Sequence, residues 1–268
     1  MNSLHYIPTE PRFKDLIHSI WQVEGFTDFQ QEHIIPKGIV EVIFNFSDGP
    51  PIPVSIGNKQ YHLSNCFING FNRTAIKTQL PKQQVFFGIR LQPLAVKKIF
   101  KIPACEFSDI TVDLSLLDPD FHSLWHQLAE QDHFNKRVPV LLNWFAKNVV
   151  EWQPREQLIN DFLYANDRRH LSVTQLANSL CYSTRQLSRK IFEITGMNTE
   201  DILLYKKYLH AVDLVHHTDM SLTAIAYQSH FSDQSHFIKT FKAYAAITPG
   251  EYKRTMSFVK GHIYENVR

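Results

Sequence analysis

Leu171-Ser172-Val173-Thr174-Gln175-Leu176-Ala177 returns 49 positions later as Met220-Ser221-Leu222-Thr223-Ala224-Ile225-Ala226, with the same order of apolar, hydroxyl and small residues. Further on, Leu187, Arg189 and Ile191 match Phe237, Lys239 and Phe241 at an offset of 50, so the second copy has one extra residue in its turn. Each copy reads as a short capped helix, a tight turn and a second capped helix. Ser172 and Ser183 cap the first pair; Ser221 and then Ser232 or Asp233 cap the second, because a side-chain oxygen there accepts from an unpaired first-turn amide. Ala177 and Ala226 are small enough for two helices to approach closely. Leu187 with Ile191, and Phe237 with Phe241, are four residues apart and share an inward face.

The opposite face near the start of each second helix is polar: Thr184, Arg185, Gln186, Ser188 and Arg189 in one copy, Gln234, Ser235, His236 and Lys239 in the other. A helix-turn-helix presents that part of its recognition helix to base edges in a major groove. Between the copies, Asn198-x-x-Asp201 starts a helix predicted to run from Thr199 to about Thr218. At 1.5 Å per residue it is about 30 Å long, near the ~34 Å of one DNA turn. Thr248-Pro249-Gly250-Glu251 has capping-box spacing with proline at the first helical position, which predicts a last short helix.

Upstream, the signals change. Ile39–Phe46 is rich in β-branched and aromatic residues and stops at Ser47-Asp48-Gly49-Pro50, a strand ending in a turn. Tyr61–Ile68, Thr74–Leu80 and Val85–Leu91 are similar candidates. Helical periods follow over Leu94–Phe100, over Asp120–Glu130 behind Asp118-Pro119, and over Arg137–Val150. Proline in Trp152-Gln153-Pro154 opens a helix more easily than it continues one, which makes it the best boundary. The expected class is α+β: a β-rich antiparallel barrel or sandwich over 1–117 that senses or pairs, a helical connector over 118–153, and an all-α domain over 154–268 with two helix-turn-helix units on a long linker helix.

Composition narrows the function. With 268 residues, 44% hydrophobic and 20% charged, the chain suits two folded domains. No run approaches the roughly 20 apolar residues of a bilayer span, and the N-terminus has no basic region followed by an apolar run, so a cytoplasmic protein without a membrane partner is expected. Cys66, Cys105 and Cys181 are widely spaced without a CxxC pair and read as reduced thiols, Cys181 as a small, semi-buried one. GxSxG, HExxH and phosphate-loop patterns are absent, which argues against an enzyme and leaves no cofactor to expect. His122 and His126 share a helix face, but no third ligand sits at a diagnostic spacing, so a metal is not expected. Net charge is only +2, and residues 166–256 carry eleven Lys or Arg against eight Asp or Glu. That balance permits nucleic-acid binding without identifying it. Lys206 and Lys207 read as surface charge, and Glu41 with Arg90 as a structural ion pair or a capped turn ahead of pocket-lining groups.

From about Arg155 to Arg254 the chain resembles the AraC family DNA-binding domain, through LSVTQLA, STRQLSRKI with Thr195-Gly196, SLTAIA, HFSDQSHFIKTFK and ITPGEYKR. The resemblance implies a bacterial transcription regulator. It carries DNA contact to Arg185, Ser188 and Arg189 in the first recognition helix and to Ser235, His236 and Lys239 in the second, with Gln186 and Gln234 as additions. Where the family often has glycine, this chain has Cys181, His230 and Ala246, residues for which a positive φ is costly. Ile35–Phe46 and Phe87–Ala95 resemble a domain of poorly defined function often found ahead of this module. Double-stranded DNA and RNA polymerase are the expected partners, with a small-molecule effector or a second copy of the chain at the N-terminal domain. The alternatives are an effector-independent dimerising DNA binder and, further off, a DNA-tethered enzyme.

Overall fold

Short segments of alternating burial build the N-terminal half: β1 (Asn2–Tyr6), β2 (Ile17–Phe26), β3 (Gln31–Ile34), β4 (Val40–Asn45), β5 (Ile52–Ile56), β6 (Lys59–Leu63), β7 (Cys66–Asn69), β8 (Ile76–Gln79), β9 (Gln83–Leu91) and β10 (Thr111–Asp113). Helix α1 (Pro11–Lys14) precedes β2, and α2 (Pro93–Phe100) follows β9. The computed structural model describes residues 2–148, 154–164 and 171–266. All pairings are antiparallel, in two sheets ordered β1-β2-β9-β4-β7-β10 and β11-β3-β8-β5-β6; β11 (His262–Glu265) comes from the far end of the chain. Each sheet ends in two edge strands instead of closing, so the barrel is ruled out and a sandwich stands.

One strand expectation needs correction, and one long strand carried no signal. Tyr61–Ile68 is not one strand: Ser64-Asn65 breaks it, sending β6 to one sheet and β7 to the other. The longest strand, β2, lacked a signal because Ser19, Gln22 and Glu24 interrupt its apolar run and a bulge lies between Ile17 and Ser19.

Every residue of β4 is buried, since the first sheet is covered on both faces. On one face, Ile20, Val42, Phe44, Ile68, Phe87 and Ile89 pack toward the helices α3 (Asp120–Ala129), α4 (Phe134–Asn148) and α5 (Pro154–Tyr164), which supply Phe121, Leu124, Leu141, Phe145 and Phe162. The expected connector is therefore part of the core. Pro154 does open a helix; Trp152-Gln153 and the predicted helix end at Val150 lie outside the described residues.

The C-terminal helices are α6 (Val173–Ser179), α7 (Thr184–Thr195), α8 (Thr199–His217), α9 (Leu222–Gln228), α10 (Gln234–Ala245) and α11 (Pro249–Thr255). Their buried residues join the same cluster, which runs from Phe13 to Ile263. Helix α8 makes the junction. Tyr205 is fully buried; its hydroxyl donates to the Asn72 carbonyl at 2.8 Å and accepts from the Gly38 amide at 3.0 Å. One turn on, the Tyr208 hydroxyl donates to the Pro36 carbonyl at 3.2 Å. Lys206 corrects another expectation: it is 4% exposed, and its ammonium donates to the carbonyls of Phe162 and Leu163 at the end of α5. A cation there satisfies carbonyls that have no partner within their own helix.

Tyr205→Phe strands a half-buried amide and a buried carbonyl. We expect a loss of about 1–3 kcal/mol, read as a lower urea midpoint with an unchanged helical circular dichroism spectrum.

Candidate nucleic-acid interface

Both helix pairs form as the repeat requires. Ser172 and Ser183 each make a full capping box: their hydroxyls accept from the Gln175 and Gln186 amides, and those glutamine side chains return a bond to the cap backbone. Ser221 accepts from the Ala224 amide, and at the remaining start Asp233, not Ser232, is the cap, accepting from the His236 amide at 2.8 Å. Inside, Ala177, Leu187, Ile191, Phe237 and Phe241 are completely buried and Ala226 almost so.

Arg185, Gln186, Arg189, Gln234, Ser235 and Lys239 are exposed, while Ser188 and His236 are half-buried. Their side chains differ in freedom. The Gln186 carbonyl oxygen accepts from the Ser183 amide and hydroxyl, which commits it to the cap. Gln234 accepts from the Thr223 hydroxyl at 2.8 Å and ties α10 to α9. The His236 ring lies 3.0 Å from the Ser232 hydroxyl and edge-on to Phe231. Lys190 and Glu193 pair along α7.

The far ends of the same helices are held by the sandwich. Thr195, the last residue of α7, accepts at its carbonyl from the Ser108 hydroxyl, and the Arg73 guanidinium reaches the Gly196 carbonyl while paired with Asp109 at 2.7 Å. A side chain on Gly196, at φ +70°, would meet the Ser108 hydroxyl at 2.9 Å. At the end of α10, the Ala245 carbonyl lies 3.0 Å from His33 Nε2. Anchored at their C-termini, α7 and α10 leave their polar N-terminal turns outward.

The three residues found in place of glycine do adopt left-handed backbone: Cys181 at φ +57°, His230 at +60° and Ala246 at +61°. The turns keep their geometry and the chain bears the strain, about 1–2 kcal/mol per site. Cys181 is exposed rather than semi-buried.

A second site showed in the sequence only through the pair Glu41 and Arg90. The inner face of the first sheet and the small Val54, Ile56 and Ile76 cluster of the second do not merge; a cavity of about 190 Å³ lies between them. Apolar residues such as Ile43, Ile52, Val54, Phe67 and Phe86 line it, with the polar groups Trp21, Lys37, Glu41, Asn72, Gln84, Arg90, His262 and Tyr264. Gly88 makes room for the indole, since a Cβ there would fall 2.3 Å from the Trp21 ring. Glu41 and Arg90 satisfy both readings at once: they pair at 2.9 Å and they line the cavity. Lys37 reaches Glu41 at 3.2 Å and His262 at 3.1 Å, and His262 meets Glu32 at 2.6 Å. Burial alone would raise the Glu41 pKa, but Lys37 and Arg90 outweigh it and bring it from 4.5 to about 2. Strands from both ends of the chain build this cavity, and no local motif marks it.

Residues 176–255 match the family described as a helix-turn-helix domain, and residues 5–113 one described as a domain of unknown function. An uncharacterized HTH-type transcriptional regulator of Staphylococcus aureus is 30% identical over 93 residues, 35% of this chain and 12% of that protein. The C-terminal part of this chain is an AraC-type helix-turn-helix domain. The lactose operon transcription activator of Staphylococcus xylosus is 27% identical to it over 97 residues, 36% of this chain and 35% of that one. The chain thus spans only a minor part of the curated relatives it matches. Beyond the AraC-type domain, the fold as a whole is similar to that of ToxT from Vibrio cholerae: TM-score 0.51 at 12% identity, over 88% of this chain and 98% of that one.

Two outcomes are expected. The stability contributed by ionised Glu41 is complete above about pH 4.5 and is lost as pH falls toward 2. Urea midpoints measured from pH 5 to 2.5 should therefore fall more steeply for the wild type than for Glu41→Gln; equal slopes would contradict the assignment. Ala246→Gly, at an exposed left-handed position, should stabilise the protein by up to about 1 kcal/mol, seen as a raised thermal midpoint.

Proposed function

We propose that the protein is a sequence-specific DNA-binding transcription regulator that sets α7 and α10 into successive major grooves of one duplex. The observation that carries this reading is the shared anchoring of both helices: C-terminal ends on the sandwich, polar N-terminal turns in solvent. Helix α8, at 19 residues, spans about 28 Å, close to the ~34 Å between grooves one turn apart. Arg185 and Arg189 are suited to paired acceptors on guanine, and Ser188, Ser235, His236 and Lys239 to single base or phosphate contacts. Gln186 and Gln234, both engaged within the fold, serve chiefly to hold their helices in register.

The sequence offers no nucleophile-and-base set, which favours a regulator over a DNA-tethered enzyme. The largely apolar cavity between the sheets favours control by a small-molecule effector over effector-independent pairing. Work in the bacterial cytoplasm with RNA polymerase, and pairing with a second copy, complete the reading. Among the described residues no helix is long and apolar enough to cross a membrane.

Selection of bound duplexes from a random pool should enrich a bipartite site with halves about one helical turn apart. Arg189→Ala should weaken binding to that site by about 1–3 kcal/mol and relax preference at one base pair; an equal loss on every sequence would make Arg189 a phosphate contact. Failure to enrich any site at low salt would overturn the regulator reading.

A further inference from the structure

We infer that Phe192 is a specificity-determining residue of α7, reading a thymine through apolar contact with its 5-methyl group, and that Lys242 holds a phosphate at the matching place in α10. This rests on the regulator reading above and adds a base to what α7 recognises.

An exposed apolar side chain by itself calls for no explanation. Phe192, 53% exposed, stands apart through its position. Along α7, Arg185, Arg189 and Phe192 are i, i+4 and i+7, so they form one row on the face turned from the core. The other large apolar side chains of the helix, Leu187, Ile191 and Ile194, are buried on the opposite face. Glu193, about 100° further round the helix, reaches back toward the sandwich and pairs with Lys97 of α2 at 3.4 Å. The ring lies on the other flank, with Arg185 and Ser188.

The repeat supplies a comparison within the chain. At the offset of 50, Arg185, Arg189 and Phe192 correspond to Ser235, Lys239 and Lys242. Lys242 is exposed as well. A lysine is the ordinary choice there, since it favours the helix more than phenylalanine does, complements the negative end of the helix dipole and stays hydrated. Phenylalanine forfeits all three, and the gain that offsets them lies outside the chain. In the major groove thymine presents a methyl group, which phenylalanine contacts favourably. Seven residues of helix span about 10 Å, or about three base-pair steps, so Phe192 extends the row beyond the base edges within reach of Arg185. Lys242 has a charged tip instead, suited to a phosphate, which positions the helix without specifying a base.

The test starts from the duplex that the wild-type full chain enriches from a random pool. Each thymine of that duplex is replaced in turn by deoxyuridine, which lacks only the 5-methyl group. One replacement, within about three base pairs of the position relaxed by Arg189→Ala, should weaken wild-type binding about fourfold, the worth of one buried methyl. Phe192→Ala should bind the two duplexes equally and relax selection at that one pair, with its urea midpoint unchanged. Because thymine and deoxyuridine are compared on the same protein, any altered active fraction cancels. Phe192→Lys, which copies α10, should bind every duplex more tightly at low salt, steepen the salt dependence by about one phosphate contact and ignore the methyl. Lys242→Ala should weaken all duplexes alike and flatten that dependence by about one contact. A wild type indifferent to every deoxyuridine, or a Phe192→Ala protein that still prefers thymine, would overturn the role of Phe192; an unchanged salt dependence in Lys242→Ala would overturn the phosphate contact. An enriched site without methyl sensitivity leaves the regulator reading standing, whereas failure to enrich any site overturns both.

Discussion

The docking of α8 into the β-sandwich is the contact on which the rest of the architecture depends. Tyr205 and Tyr208 bring large apolar rings into the core and meet backbone groups of two sandwich loops with their hydroxyls. An aromatic body with a polar tip suits this junction, because loop backbone buried there needs partners that an aliphatic side chain could not supply. Tyr244, from α10, meets Tyr205 edge-on and Tyr208 at a tilt, with centroids 5.0 and 4.9 Å away. The spacer between the two helix-turn-helix units is thus also their attachment to the N-terminal half, and the direction in which α7 and α10 point is set by the β-sandwich.

That arrangement explains why costly backbone is tolerated in the turns. Cys181, His230 and Ala246 have left-handed φ values without the freedom of glycine. Each lies directly beside a buried apolar residue, Leu180, Phe231 or Ala245. The flanking helices must diverge at these points to bury their apolar faces, and the gain from that burial exceeds a local strain of about 1–2 kcal/mol.

The last strand binds the halves a second time. After α11 the chain crosses back, the Gly261 amide donates to the Tyr252 hydroxyl, and β11 adds to the edge of β3. His262 then joins Lys37 and Glu32, while Val259 and Tyr264 help wall the cavity. A segment covalently continuous with the second helix-turn-helix unit therefore forms part of the enclosure of the sandwich.

How far the sequence alone reached follows from the range of the forces involved. Caps, turns and helix faces depend on neighbours three or four residues away, so Ser172, Ser183, Ser221, the Leu187/Ile191 and Phe237/Phe241 pairs and the 49-residue repeat were legible one by one. Strands buried on both faces were legible too, as β4 was, because their apolar runs are continuous. What tertiary structure alone decided is whatever depends on distant partners. β2 and β11 take their conformation from ladders with β9 and β3 rather than from their own residues. Lys206 looks like surface charge until the end of α5 is brought against it, and the Trp21, Asn72 and Gln84 cavity exists only once two sheets have failed to close on each other. The repeat determined what the C-terminal part is; the fold decided which way it faces and what it encloses, because orientation and voids arise from packing between segments that local sequence does not connect.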